Sequence, residues 1–108
     1  MNKTKVIVVY GAPGSGKTTY VKEHIGNNDI VYDYDALFSA VSFKEEKSVA
    51  LDCQFRILMD FRKCFLLNMS RCGAERAWFI IVDPEKVKTW LPADAEYVNM
   101  GGKAYARS

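Results

Sequence analysis

Apolar residues occur along this chain in two rhythms. Val6-Ile7-Val8-Val9-Tyr10 and Trp78-Phe79-Ile80-Ile81-Val82 are continuous and rich in β-branched and aromatic residues. That is the pattern of parallel strands buried on both faces. The first run predicts a strand over residues 5–10, the second a strand from Trp78 into Asp83. Ile30-Val31-Tyr32 leads into Asp33-Tyr34-Asp35 as another strand, and 95–100 reads as a fourth, broken by Gly101-Gly102. Between these runs the spacing turns helical. Residues 17–25 predict a helix closed by Gly26, 36–41 a short one, and 48–72 a long one stopped by Gly73. Asp83-Pro84-Glu85 starts a further helix, with Asp83 as N-cap and Pro84 in the first turn, ending near Leu91-Pro92. Ser42-Phe43-Lys44-Glu45 has capping-box spacing, while Lys44-Glu45-Glu46-Lys47 reads equally as a solvated loop. A strand, a helix and a second strand within ~30 residues make a parallel pair. The expected architecture is a three-layer α/β domain over residues 1–108, with a short parallel sheet of about four strands flanked by helices.

The long helix carries the least ordinary pattern. At about 100° per residue, Asp52, Arg56, Asp60, Lys63, Ser70 and Arg71 fall on one narrow stripe. The stripe reads as a solvated face laced by an Arg56–Asp60 pair, and the remaining, apolar surface predicts a mostly buried helix. Arg62 projects from that apolar side, among Leu51, Phe55, Leu58 and Met69, with Gln54 two turns earlier. A guanidinium there needs a carboxylate or phosphate partner, or a path to solvent along its stem. Arg62 is thus a candidate for gripping substrate or nucleotide phosphate, or else a structural ion pair.

Composition narrows the class. The chain has 108 residues, 49% of them hydrophobic, and a net charge of +2, which argues for one domain and against a large nucleic-acid footprint. Cys53, Cys64 and Cys72 show no metal-ligand spacing. Cys53 and Cys64 lie about three turns apart on one helix face, as packed thiols would. An odd cysteine number, with no leader before the first strand, points to a reducing, cytoplasmic location. No apolar run reaches the ~20 residues of a membrane span. The only histidine, His24, falls at a helix end, where it is expected to be solvated.

The chemistry centres on Gly11-Ala12-Pro13-Gly14-Ser15-Gly16-Lys17-Thr18, directly after the first strand and opening the first helix. It fits G-x-x-x-x-G-K-[ST], the phosphate-cradling P-loop, in the context that motif requires. Glycines let the backbone turn its N–H groups toward phosphate oxygens, and the helix start adds partial positive charge. Lys17 supplies a point charge for the β- and γ-phosphates, and the Thr18 hydroxyl ligates Mg²⁺. The expected ligands are a nucleoside triphosphate, ATP in the first instance, and Mg²⁺.

Carboxylates decide the chemistry once nucleotide is bound. Asp33 and Asp35 stand at the carboxyl end of the second strand, the edge where open parallel sheets bind ligands. Alternation along that strand would aim both at the phosphates, one beside Mg²⁺ and one beside an acceptor hydroxyl. Asp35 would stay ionised there and engage the acceptor's proton. Asp83, after four apolar residues, competes for the metal side in the manner of a Walker B carboxylate, or simply caps the Pro84 helix.

Residues 11–19, Lys22, Glu23 and Asp33-Tyr34-Asp35 together resemble the small P-loop kinases, most of all phage-type kinases related to the polynucleotide kinase domain. The strand at 79–84 matches in position, and the long helix only in type. The resemblance implies a doubly wound core with ATP·Mg²⁺ and an acceptor hydroxyl meeting above the sheet. It carries phosphate binding onto Gly14 to Thr19, the metal-side role onto Asp33 and the acceptor-side role onto Asp35. Those kinases continue with an arginine-bearing lid and usually another strand and helix. Here Lys103 to Ser108 follow Gly101-Gly102, with Arg107 as the one candidate lid arginine.

Three readings stay open: a shortened kinase, a site completed by a second chain, or a protein that binds nucleotide without efficient turnover. The leading expectation is a phosphotransferase moving the γ-phosphate of ATP to a hydroxyl on a small molecule, a nucleotide or a nucleic-acid 5′ end. The alternative is a nucleotide-binding module or slow ATPase acting through a partner. A large ATPase machine has no room in this length, and Val82-Asp83 and Asn99-Met100 offer no N-K-x-D-like guanine reader. An unpaired sheet edge would favour self-association or a partner chain completing the sheet.

Overall fold

In a computed structural model, which describes residues 3–44 and 50–100, the apolar runs form four strands of one sheet. These are β1 (Lys5–Tyr10), β2 (Asp29–Asp33), β3 (Arg76–Ile81) and β4 (Glu96–Asn99), in the order β2-β3-β1-β4. Every pairing is parallel, with Val8 opposite Phe79, Val9 opposite Ile80 and Val98, and Tyr32 opposite Phe79. β1 and β3 are central and covered on both faces, which is why they lack polar alternation. Val8, Val9, Ala77 and Phe79 are fully buried.

Successive residues point to opposite faces and so build two cores. Val6, Val8, Tyr32, Ala77 and Phe79 pack on one face with Val87 and Leu91, against Phe65 and Leu66 of α3 (Asp52–Asn68). Ile7, Val9, Trp78 and Ile80 pack on the other face against Val21 and Tyr20 of α1 (Lys17–His24). A third helix, α2 (Tyr34–Ser42), follows β2 without a break and packs on α3. The architecture is the expected α/β one, a four-stranded parallel sheet flanked by helices. Among the described residues no helix is long and apolar enough to cross a membrane. β2 and β4 are the sheet's edges.

Several boundaries differ from expectation for local reasons. β2 ends at Asp33 rather than Asp35, because Asp33 caps α2 and its carboxylate accepts the Ala36 N–H at 3.3 Å. Ser42 closes α2 instead of capping a new helix, and its hydroxyl donates to the Phe38 carbonyl at 2.6 Å. The rest of that capping box, the 44–47 loop beyond Lys44, the helix start at Ser48, Gly101-Gly102 and Arg107 lie outside the described residues. β3 stops at Ile81, leaving Asp83 to cap only a 3₁₀ turn, Pro84–Lys86, where a longer helix was expected.

The long helix is the larger correction. Leu58 is its only buried residue, while Leu51, Phe55, Ile57, Phe61 and Leu67 are exposed. One helix laid on one sheet face can bury only one side of itself, and α3 has more apolar residues than that side holds. Cys53 and Cys64 are exposed rather than packed, as is Cys72. Among the described residues no ion pair joins Arg56 to Asp60. Gln54 does not share a polar pocket with Arg62 but accepts the Leu51 N–H at 2.9 Å, capping α3. His24 is exposed as expected, stacked on Tyr20 with ring centroids 4.1 Å apart.

The sheet edge opposite the glycine-rich loop is locked by one buried carboxylate. Asp29 accepts hydrogen bonds from Trp78 Nε1 at 2.9 Å and Gly26 N at 2.8 Å, and pairs with Arg76 Nε at 2.9 Å. Burial alone would raise the Asp29 pKa, but the bonds from Trp78 and Gly26 and the Arg76 charge leave it below the ordinary carboxylate value. Gly26 belongs to this network. The helix ends one residue earlier than expected, with extended Ile25 as its cap. A Cβ on Gly26 would stand 2.9 Å from the Arg76 guanidinium, so a larger residue there would have to displace the end of that side chain from its place beside Asp29.

Candidate functional site

The loop from Gly11 to Gly16 joins the carboxyl end of β1 to the first turn of α1. Gly14 and Gly16 hold φ of 81° and 92°, left-handed conformations that side chains disfavour, although a Cβ on either would meet open space. Backbone conformation, and not crowding, sets the need for glycine here. The loop folds back on itself, with Ser15 N–H donating to the Ala12 carbonyl at 3.1 Å. Lys17 Nζ donates to the carbonyls of Gly11 at 2.6 Å and Ala12 at 2.9 Å, which ties the ammonium over the loop. Partial burial lowers the Lys17 pKa, while the Asp35 charge and then the Asp33 charge pull it back up.

A cavity of about 520 Å³ opens beside this loop. Gly14, Gly16, Lys17, Thr18 and Thr19 line one side of it, and Asp33 and Asp35 also border it. The residues fit a phosphate-bound magnesium ion. Ser15 Oγ is buried with no protein partner, so the loop holds an unmet polar atom. Thr18 and Asp33 give one hydroxyl and one carboxylate, the sparse donor set that Mg²⁺ accepts when it keeps water and phosphate oxygens. Among the described residues no group of three or more His, Cys, Asp or Glu could hold a metal ion by itself.

Asp33 and Asp35 reach this cavity by a different route from the one expected. Strand alternation does not align them, since Tyr34 already belongs to α2. Asp33 caps that helix and Asp35 sits in its first turn, so a tight strand-to-helix transition places both beside Lys17. Ala12 and Pro13 complete the loop, with Pro13 on the cavity wall.

A second cavity, about 450 Å³, adjoins the first and shares Lys17, Asp35, Ile80 and Val82 with it. Tyr32, Tyr34, Phe55, Met59 and Trp90 make it largely aromatic, and Arg62, Lys86 and Asp83 add charge. Asp83 lines this second cavity, and its carboxylate accepts the Glu85 N–H at 3.0 Å. Arg62 lies over the Trp90 ring, 4.7 Å from the centroid. The structure thus unites Lys17, Thr18, Asp33 and Asp35 at the loop and puts Arg62 and Asp83 in the adjoining cavity. No local signal marks Trp90, Phe55 and Lys86 as site residues, because only tertiary packing brings 55–62 and 83–90 together.

No protein-family model and no curated protein matches this sequence. Among solved structures, the fold is similar to a chain described as the Pnkp1/Rnl/Hen1 RNA repair complex, with a TM-score of 0.68 at 17% identity. A chain of a Pnkp1/Rnl/Hen1 complex is similar too, with a TM-score of 0.65 at 19% identity. Each match covers 93% of this chain but 34% and 36% of those chains, so this chain spans about a third of their length. At such identity the likeness establishes a shared fold.

Proposed function

We propose that this protein binds ATP·Mg²⁺ at the Gly11–Thr18 loop and transfers the γ-phosphoryl group to a hydroxyl acceptor in the adjoining cavity. The observation that carries the reading is the junction of the two cavities at Lys17 and Asp35. In-line phosphoryl transfer needs a donor phosphate and an acceptor oxygen held on either side of a shared boundary. In this assignment the loop from Gly11 to Thr19 holds the triphosphate, and Lys17 neutralises charge on the transferring group. Thr18 and Asp33 hold Mg²⁺, which supplies charge stabilisation when bound. Asp35 orients the acceptor hydroxyl and takes its proton. Because the similar solved chains come from an RNA repair complex, a nucleotide or nucleic-acid 5′ hydroxyl is the favoured acceptor.

The test is calorimetric titration with Mg²⁺·ATP, with Lys17→Ala as control, and an assay of ADP release with and without a 5′-hydroxyl oligonucleotide. Binding lost in Lys17→Ala, with ADP release accelerated by the oligonucleotide, supports the transferase. Binding with no turnover would leave a nucleotide-binding module that acts through a partner. No binding at all would overturn the reading.

A further inference from the structure

One cation of the aromatic cavity, Arg62, has no ion-pair partner among the described residues. Arg62 is half-buried on α3 and faces Trp90 at 4.7 Å. Among the described residues no carboxylate pairs with it, and no oxygen accepts a hydrogen bond from it. Its Nε is buried and unpartnered. A polar N–H buried without a partner is costly, and the cation–π contact recovers only a part. Trp90 is itself packed edge-on against Tyr32 and Phe79, so the ring under the guanidinium is fixed.

We propose that Arg62, placed over the Trp90 ring, is an oxyanion subsite, and that the cavity takes an acceptor combining an aromatic or apolar body with an anionic group. This rests on the transferase reading and adds the chemistry of its acceptor. Asp35 marks the hydroxyl end of the cavity, next to Lys17, and Arg62 marks the anion. Tyr34, Phe55 and Met59 supply apolar wall for the body between them. Lys86 and Asp83 line the same space, so three cations (Lys17, Arg62, Lys86) face two carboxylates (Asp35, Asp83) and the lining is net positive by one charge. Trp90 acts through Arg62 and is a positioning residue. The anion is a phosphate monoester or diester, or a carboxylate; both offer paired oxygens to a guanidinium fork.

The experiment uses small probes and needs no turnover. Phenyl phosphate, benzoate and benzyl alcohol are titrated into the full chain by ligand-observed NMR, in saturating Mg²⁺·ATP so that the loop is filled. The same series with Lys17→Ala and no nucleotide separates this subsite from the loop. Both anions are expected to bind roughly tenfold or more tightly than benzyl alcohol, with the preference retained in Lys17→Ala. Arg62→Gln abolishes the preference, Arg62→Lys recovers part of it, and Trp90→Leu weakens anion binding while sparing benzyl alcohol. Phenyl phosphate ahead of benzoate identifies a phosphorylated acceptor, and equal binding a carboxylated one. Equal affinity for the anions and the alcohol would overturn the proposal, as would anion binding unchanged in a folded Arg62→Gln chain. If ATP fails to bind while the Arg62-dependent preference persists in Lys17→Ala, the transferase reading falls and the anion subsite stands.

Discussion

Lys17 and Asp35 are the two charged residues common to the glycine-loop cavity and the aromatic cavity. One belongs to the first turn of α1 and the other to the first turn of α2. Two helix starts following two parallel strands therefore place a cation and a carboxylate at one boundary. Their opposition shows in Lys17 itself, where the Asp35 charge partly offsets what burial takes away.

Lys17→Ala is expected to weaken Mg²⁺·ATP binding by at least about tenfold, since a charge-assisted contact to phosphate is lost. Folding should change by well under about 1 kcal/mol, because among the described residues the ammonium donates hydrogen bonds to its own loop alone. Calorimetry and urea unfolding on the same variant separate the two effects.

Asp35→Asn is expected to lower phosphoryl transfer by roughly 10²-fold or more while ATP affinity stays within about threefold of wild type. Single-turnover transfer of labelled γ-phosphate reads the first quantity and calorimetry the second. A matching fall in both would place Asp35 in nucleotide binding instead.

Asp33 has two jobs that substitutions can divide. Asp33→Ala removes the cap on α2 and should cost about 1 kcal/mol of stability. Asp33→Asn keeps a cap and should cost little. Both should raise the Mg²⁺ concentration needed for tight ATP binding. Urea unfolding with a magnesium titration distinguishes cap from metal ligand.

Asp29 makes stability depend on pH. Its folded pKa lies below the unfolded value of about 3.9, so its contribution is complete above that value and disappears as pH falls through the lowered one. Unfolding free energy should therefore decline between about pH 5 and pH 3. Asp29→Ala should cost about 3 kcal/mol at pH 7, leaving Arg76 and Trp78 without their acceptor, and should flatten that decline.

The thiols give a check on α3. Because Cys53, Cys64 and Cys72 are all exposed, a thiol reagent such as DTNB should titrate all three in the native chain, without denaturant. If Cys53 and Cys64 react only after unfolding, that face of α3 is covered.

Where local rules act alone, expectation and structure agree closely. β1 has the predicted limits, because an unbroken apolar run from Val6 to Tyr10, bounded by Lys5 and Gly11, has one way to be buried. The Gly11–Thr18 loop lies where the motif put it, since left-handed glycines and a following helix start are properties of adjacent residues. The failures share a cause. Whether Asp33-Tyr34-Asp35 continues a strand or starts a helix depends on whether the Asp33 side chain captures a backbone N–H, and propensity is nearly silent on that. An apolar α3 suggests a buried one, yet burial depends on how many faces have neighbours.

Residue type and near spacing were enough for the parallel α/β plan, the phosphate-type loop and the candidacy of Lys17, Thr18, Asp33, Asp35 and Arg62. They could not give the strand order that seats β3 between β2 and β1. Folding in three dimensions also brought Asp83 and Arg62 to one cavity and laid Arg62 over Trp90. Those relations join residues far apart in the chain, and pairing and packing alone bring them within reach of one another.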